Sequence, residues 1–198
     1  MHMKLASMRL PIIIVFVTLT SCASLKKSVD TGNRIVLTDS TLSLIEGRYE
    51  RESVQLEKDS FPVADLYWNL YANTYSFIFG NDKGLNQKGD TNFIELKVLN
   101  KNEILAVYAS SSEILTSKVL KGKVKNGYFV FKRKYLFIPF VFANIYRNTK
   151  FRIGLLNDMN LIADYKEIGF ATFYVILPDF RNISENDMIF KRTKEILH

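Results

Sequence analysis

The chain of 198 residues contains almost no histidine or cysteine. Its two histidines are His2 and His198, and its one cysteine is Cys22. The interior of the chain therefore offers no histidine for a Ser-His-Asp triad or a zinc site, and a disulfide framework is excluded. Glycine and proline are also scarce, with nine and four residues, which excludes a low-complexity sequence.

The composition is otherwise that of a folded protein. Hydrophobic residues make up 47% of the chain, charged residues 24% and aromatic residues 13%. This length accommodates one ordinary domain with short appendages. The formal net charge of +7 favours anionic partners such as lipid headgroups.

The first 21 residues have the pattern of an export signal. Lys4 and Arg9 precede or adjoin an apolar run at 10–19, which is too short for a transmembrane helix of roughly 20 residues. The run ends in Leu19-Thr20-Ser21-Cys22. This ending resembles the lipobox of bacterial lipoproteins, and the resemblance implies cleavage before Cys22 and attachment of lipid to its sulfur.

The resemblance to lipoproteins implies an envelope protein that is held on a membrane by covalent lipid, since two or more acyl chains anchor a protein stably. Ala23 stands where an aspartate would imply retention in the inner membrane, so we expect the outer membrane, on the side facing the periplasm. Export argues against nucleic acid as a partner. The alternative is an ordinary secretory signal in which Cys22 merely lies near the cleavage site.

Residues 22–41 are mostly small or polar and predict a lipidated N-terminus followed by a flexible tether. A flexible segment of this length spans roughly 25 Å. The remaining residues, 42–198, are expected to form one domain.

The domain is predicted to be all-β. Residues 45–50 alternate apolar and polar side chains, which is typical of a half-buried strand. Asn126-Gly127 predicts a two-residue type I′ hairpin that pairs Lys125 with Tyr128. Short apolar runs separated by turn residues predict eight further strands, at 92–99, 103–110, 114–125, 128–137, 141–147, 150–156, 160–166 and 170–177.

Two helices are predicted at the margins of these strands. The spacing of Leu66 with Leu70 and of Tyr67 with Tyr71 favours a short helix near 65–71. Ser184 is a suitable N-cap, with acidic residues in the turn that follows, and predicts a C-terminal helix near 185–196.

The domain is similar to lipocalins, which carry Gly-x-Trp in the first strand where this chain has Gly47-Arg48-Tyr49. The resemblance implies an antiparallel meander of about eight strands that closes into a barrel, with a trailing helix. Such a barrel is either filled by side chains or holds one small ligand. The half-barrel of lipoprotein carriers is the alternative architecture, but it needs more helix than the sequence predicts.

Two sets of residues are candidates for binding. The candidate liners of an apolar pocket are Tyr49, Trp68, Phe129 and Phe131. No acidic residue occurs between Glu113 and Asp158, and the candidates for contact with an anionic surface in this basic stretch are Lys121, Lys123, Lys125 and Lys132. The alternative for the lysines is a solvated strand face that resists edge pairing.

One further segment, Tyr135 to Tyr146, is almost wholly apolar around Pro139. It is too short and too interrupted to cross a membrane as a helix. It predicts either the mouth of an apolar pocket or two buried strands that bend at the proline.

Three functions remain open from the sequence. The first is a non-enzymatic lipoprotein that binds a small apolar or lipidic ligand, and the second is an interaction module of an envelope protein complex with a filled barrel. The third, a hydrolase that uses paired carboxylates such as Glu50 with Glu52 or Asp158 with Asp164, is the least favoured, because such acids usually form a solvated face. No catalytic residue, cofactor or metal site is predicted.

Overall fold

The computed structural model describes residues 25, 32–54, 65–71, 92–132, 134–139, 143–173 and 177–193. In these residues the chain forms one antiparallel sheet of eleven strands and one short α-helix. The all-β class predicted from the sequence is therefore confirmed.

The strands are numbered in chain order. They are β1 (Arg34–Ile35), β2 (Gly47–Glu50), β3 (Phe93–Asn100), β4 (Glu103–Ala109), β5 (Ile114–Lys125), β6 (Tyr128–Phe131), β7 (Lys134–Pro139), β8 (Ala143–Leu156), β9 (Leu161–Phe173), β10 (Leu177–Phe190) and β11 (Arg192–Thr193). The helices are a 3₁₀ helix at Leu42–Ile45 and the α-helix α1 at Leu66–Tyr71, which lies where a short helix is predicted.

The sheet is a meander in which most neighbours in space are also neighbours in sequence. Its order is β10-β9-β8-β6-β5-β4-β3-β2-β11, and both β1 and β7 pair with β8 beside β6. Within the described residues, no ladder joins β10 to β2, so the ladders themselves do not close the sheet into a barrel.

One face of the sheet packs the main core, as the period-two pattern of its strands requires. Its fully buried members include Ile94, Leu96, Ile104, Phe129, Ile153, Leu155, Leu161 and Ala163. The helix α1 packs all six of its residues into buried positions against this face.

The hairpin at Asn126-Gly127 is confirmed. Both turn residues have positive φ, 53° and 77°, as a type I′ turn requires. Lys125 lies opposite Tyr128, and Gly122 lies opposite Phe131, which is the predicted register.

The predicted strands 141–147 and 150–156 are one continuous strand over the described residues 143–156, and the turn predicted at Asn148-Thr149 is wrong. Both residues lie inside β8, where they pair with β7 on one side and with β9 on the other. Two flanking strands supply partners for the backbone at these positions, and this tertiary pairing overrides the local turn propensity of asparagine.

The predicted C-terminal helix at 185–196 is also wrong. The strand β10 continues to Phe190 along β9, and β11 follows after Lys191, while 194–196 lie outside the described residues. A bulge after Glu185, with Asp187 at φ 60°, shifts the register so that Met188 and Phe190 enter the core. Pairing with the edge of β9 thus outweighs the capping signal at Ser184.

The expected tether ends earlier than predicted. Arg34 and Ile35 pair with the end of β8, and the backbone N–H of Leu37 donates to the carbonyl oxygen of Gly127 over 3.2 Å. Leu37 itself is fully buried. The only apolar stretch of this polar segment therefore belongs to the domain.

Candidate functional site

A cavity of about 150 Å³ lies between α1 and the strands β5, β6 and β8. Its apolar wall is formed by Leu70, Leu120, Phe131 and Phe151. Three lysines also line it, and the remaining lining residues are Asn69, Val119 and Thr149. We call it the lysine-rimmed cavity, with Lys118, Lys121 and Lys132 as its rim.

The cavity lies where two neighbouring strands separate. The strand β5 pairs with β6 only over residues 122–125, and the Lys132 backbone N–H donates to the carbonyl oxygen of Lys121 just beyond. Among the described residues, no strand then pairs with 114–120 of β5 on the side away from β4. Asn69 and Leu70 of α1 line the cavity at this gap.

A buried ion pair positions α1 over this gap. The Arg51 Nε donates to the carboxylate of Asp65 over 2.8 Å, and Arg51 Nη1 donates to the Tyr108 hydroxyl over 2.8 Å. The backbone N–H of Leu66 donates to the Arg51 carbonyl oxygen. Burial raises the pKa of Asp65 above its usual value, although the hydrogen bonds and charge of Arg51 oppose this rise.

The rim of the cavity is positively charged. Lys118 points to the same face as Leu120, and its Nζ donates to the carbonyl oxygen of Tyr71 at the end of α1 over 3.3 Å. Lys121 forms an ion pair of 3.2 Å with Glu103, whose pKa is lowered by hydrogen bonds from Asn100 and Lys121. Lys132 also lowers the pKa of Glu103 through its charge, so two of the rim lysines act on this carboxylate. Positively charged side chains at the rim of a cavity attract an anion.

The aromatic wall is continuous with the core. The ring of Phe131 stacks on Phe151 with centroids 5.4 Å apart and meets Phe129 edge-on at 5.1 Å. These are the offset and edge-to-face geometries that aromatic pairs prefer. Phe131 and Phe151 therefore present a preformed apolar surface to the cavity.

A second buried polar group lies beside the cavity on β8 and β9. Arg147 donates to the carboxylate of Glu167, and the Tyr165 hydroxyl donates to the same carboxylate. Burial raises the pKa of Tyr165 to about 12, with a further contribution from the negative charge of Glu167. Because Glu167 balances the charge of Arg147, this cluster offers no net charge to a ligand.

The structure brings three of the predicted binding residues together. Phe131, Lys121 and Lys132 line the cavity, whereas Lys123 and Lys125, which share the exposed face of β5 with Lys121, do not. Leu70, Lys118 and Phe151 also line the cavity and were not singled out by the sequence. The alternation of β5 would have placed Lys118 on the face of Leu120, but only the fold brings α1 against it.

The other predicted liners lie away from the lysine-rimmed cavity. Tyr49 is fully buried, its hydroxyl donates to the carbonyl oxygen of Ile45 over 2.9 Å, and burial raises its pKa to about 12. Trp68 is buried in α1, where its backbone N–H donates to Asp65. Phe129 packs in the core over Gly122.

One acid of the carboxylate pair Asp158 with Asp164 has a structural partner of opposite charge. Asp164 is buried and accepts a hydrogen bond from Arg152 Nε over 2.5 Å. Asp158 lies in the turn before β9, where it accepts from the backbone N–H of Asn160 over 3.0 Å. Both carboxylates stabilise the fold locally.

Comparison with known proteins gives no match. No family model, curated protein or solved structure resembles the chain significantly. In the part of the chain that the structure describes, no helix has the length and apolar character needed to cross a membrane. Any functional conclusion therefore comes from the residues and their geometry alone.

Proposed function

We propose that the protein is a lipid-anchored envelope protein that binds a small apolar or lipidic ligand with an anionic end. The observation that carries this proposal is the lysine-rimmed cavity, which combines an apolar aromatic wall with three lysine side chains at its rim. Ligand sites typically combine a mostly apolar lining with a few polar groups that orient the ligand. Here the anion lies near Lys118 and Lys132, and the apolar part lies against Phe131 and Phe151.

The size of the cavity limits what enters it. A volume of about 150 Å³ is close to that of cavities that hold one benzene molecule, and it is below the roughly 300 Å³ typical of drug-sized ligands. The cavity therefore takes one ring or the end of one acyl chain. The remainder of a longer ligand lies in the gap beside residues 114–120 of β5.

A barrel-like enclosure belongs to the same proposal. The strands β10 and β11 lie at opposite ends of the sheet order, yet only Lys191 separates them in the chain. The backbone N–H of Glu50 donates to the Lys191 carbonyl oxygen over 2.8 Å, and that of Val54 donates to Ile189 over 2.9 Å. These bonds support a sheet that curls until β2 meets the β10–β11 junction, as in a lipocalin-like barrel.

The anchor is proposed from the lipobox at Leu19-Thr20-Ser21-Cys22. With acylated Cys22 in the outer membrane, the domain faces the periplasm on a tether that ends near Gly32, because β1 begins at Arg34. A flexible segment of about ten residues spans roughly 16–19 Å. The domain therefore stays close to the bilayer that holds it.

A second function is favoured by the small volume of the cavity. If side chains fill the interior in solution, the protein is an interaction module of an envelope complex and binds no lipid. The two functions differ in one measurable property, which is saturable uptake of an amphiphile by the purified protein.

The test is titration of the lipidated protein with a fluorescent fatty acid and with its uncharged alcohol analogue. We expect saturable binding of the acid, weaker binding of the alcohol, and a loss of about threefold to fivefold in affinity for the acid in Lys132→Gln. Lys125→Gln is the matched control, because Lys125 is also exposed but lies outside the cavity. Leu70→Phe should fill the cavity and abolish binding while the protein remains folded. Absence of saturable binding to the unmodified protein would contradict the proposal and favour the interaction module.

A further inference from the structure

A row of aromatic side chains crosses four adjacent strands. Phe137 of β7 lies directly opposite Tyr146 of β8, Tyr146 opposite Phe170 of β9, and Phe170 opposite Phe180 of β10. The rings of Tyr146 and Phe170 stack with centroids 5.6 Å apart. At the two ends of this aromatic row, Phe137 is 63% and Phe180 is 75% exposed.

The aromatic row lies on the face of the sheet that points away from the core. Successive side chains of a strand point to opposite faces. Arg147, the neighbour of Tyr146, donates to Glu167 and Tyr165, and Tyr165 belongs to the core. Tyr146 and the rings in register with it therefore point outward. A contiguous apolar surface of this kind marks a site of interaction with a protein or a membrane.

Two lysines lie on the same face at a fixed distance from the aromatic row. Lys150 of β8 is directly opposite Lys166 of β9, four residues along each strand from Tyr146 and Phe170. At 3.3–3.4 Å per residue, about 13 Å separate this lysine pair from the row. Two adjacent positive charges on an outward face attract an anionic surface at this level.

The sequence beyond the aromatic row is apolar. The residues that connect β7 to β8 are Phe140-Val141-Phe142, and those that connect β9 to β10 are Tyr174-Val175-Ile176. Connections between strands are usually rich in glycine, proline and polar residues. Along β8 and β9, the lysine pair therefore comes first on the outward face, and the aromatic row follows. The connecting residues beyond the row are apolar in sequence.

We propose that the aromatic row docks on the surface of an anionic phospholipid bilayer. Aromatic rings favour the boundary between headgroups and acyl chains, and lysines about 13 Å towards water lie at the level where anionic headgroups attract them. The lysine pair favours an anionic lipid surface over a second copy of this positively charged chain. This contact is additional to the ligand site and independent of it.

The proposed anchor and the aromatic row can contact the same bilayer. About ten residues of β8 separate Leu156, where β1 pairs, from Tyr146, a distance of roughly 33 Å. The chain from Cys22 to Gly32 reaches at most about 33–36 Å when fully extended. An upright sheet would therefore need this chain almost fully extended, whereas a sheet that tilts towards the membrane brings the aromatic row and the anchor to the same bilayer with a shorter reach.

The test uses a fluorophore that responds to lipid, attached to a cysteine at Asn182 or at Asp158 of the lipidated protein in vesicles. The vesicles contain phosphatidylcholine with a minor fraction of phosphatidylglycerol. Asn182 is exposed next to the aromatic row, and Asp158 is exposed in the turn at the opposite end of β9. We expect a blue shift and quenching by nitroxide lipids at 182, and an aqueous spectrum at 158.

Variants separate the aromatic row from the anchor. Phe137→Ser combined with Phe180→Ser should abolish the shift at 182, whereas the control pair Leu99→Ser and Val36→Ser, also exposed but elsewhere, should preserve it. Replacing Lys150 or Lys166 with Gln should weaken docking about fivefold for each lysine removed.

Three results would overturn this docking site: an aqueous spectrum at 182, a shift that survives both serine substitutions, or protection of 182 without vesicles that grows with protein concentration. The last result would show that a second copy covers the row. Acylation of Cys22 is read separately from the intact mass, so failure of the anchor and failure of the docking site are distinguishable.

Discussion

At the scale of single residues, Gly122 has the most direct effect on the wall of the cavity. A Cβ atom at this position would lie 2.5 Å from Phe129 Cε1 and 2.6 Å from the carbonyl oxygen of Val130. The ring of Phe129 thus lies across the glycine and meets Phe131 edge-on. A side chain at 122 would displace this ring and disturb the apolar wall of the cavity.

We predict that Gly122→Ala lowers the free energy of unfolding by about 1–3 kcal/mol, because the added methyl group overpacks a site bounded partly by backbone. Urea denaturation measures the loss. Gly154→Ala is a milder comparison, since a Cβ atom there would lie 3.0–3.2 Å from its nearest neighbours, in Tyr128 and Ile162. Equal stability of Gly122→Ala and the unmodified protein would show that Phe129 can move aside at little cost.

At the scale of elements, β1 and the residues after it hold the N-terminal segment on the domain. Arg34 forms an ion pair of 2.5 Å with Asp187 at the bulge of β10, and its guanidinium lies 5.2 Å from the ring centroid of Tyr128. Arg152 covers the same ring at 4.0 Å. The segment therefore contributes to packing, in addition to its proposed role of linking the domain to an anchor.

Leu37 and Val36 provide a matched test of this segment. Leu37 is 1% exposed and Val36 is 69% exposed. We predict that Leu37→Ala lowers the free energy of unfolding by about 2–5 kcal/mol, whereas Val36→Ala changes it by less than about 0.5 kcal/mol. Thermal and urea unfolding report both values. Similar small effects of the two substitutions would mean that the segment is a tether after all.

At the scale of the whole molecule, one thiol determines where the proposed functions operate. The described domain has a lysine-rimmed cavity and an outward aromatic row. The cavity is proposed to bind a lipidic ligand and the row to dock on a bilayer, so both functions require a membrane nearby. The proposed acyl chains on Cys22 keep the domain there, and the row then binds a bilayer that is already close. Such linkage raises the effective concentration of the second contact.

We predict that Cys22→Ser moves the protein from the membrane fraction to the soluble fraction at high salt. Some association through the aromatic row should persist at low salt, because the attraction of lysines to anionic lipid is screened as ionic strength rises. Fractionation at two salt concentrations measures this, and intact mass should show a fatty adduct on the unmodified protein only. A mass without that adduct, together with unchanged fractionation of the variant, would refute the anchor.

The amino-acid sequence by itself determined the all-β class, the hairpin at Asn126-Gly127 with its register, and the position of α1. These features depend on local periodicity and on φ values that particular residues favour, so they can be read without the fold. Alternation about the hairpin also identified Phe131 as an interior residue and Lys121 and Lys132 as residues of the opposite face. It did not predict that all three line one cavity.

Only the tertiary structure decided that 34–35, Asn148-Thr149 and 185–190 form strands. Residues 34–35 and 185–190 pair with strands that are distant in sequence, and Asn148-Thr149 is flanked by a strand on each side. The cavity and the aromatic row were decided in the same way. Leu70 of α1 and Phe151 of β8 line the same cavity although they are far apart in the sequence, and Phe137 and Phe180 align only through two intervening strands. Long-range register brings these side chains together, and a local pattern carries no information about it.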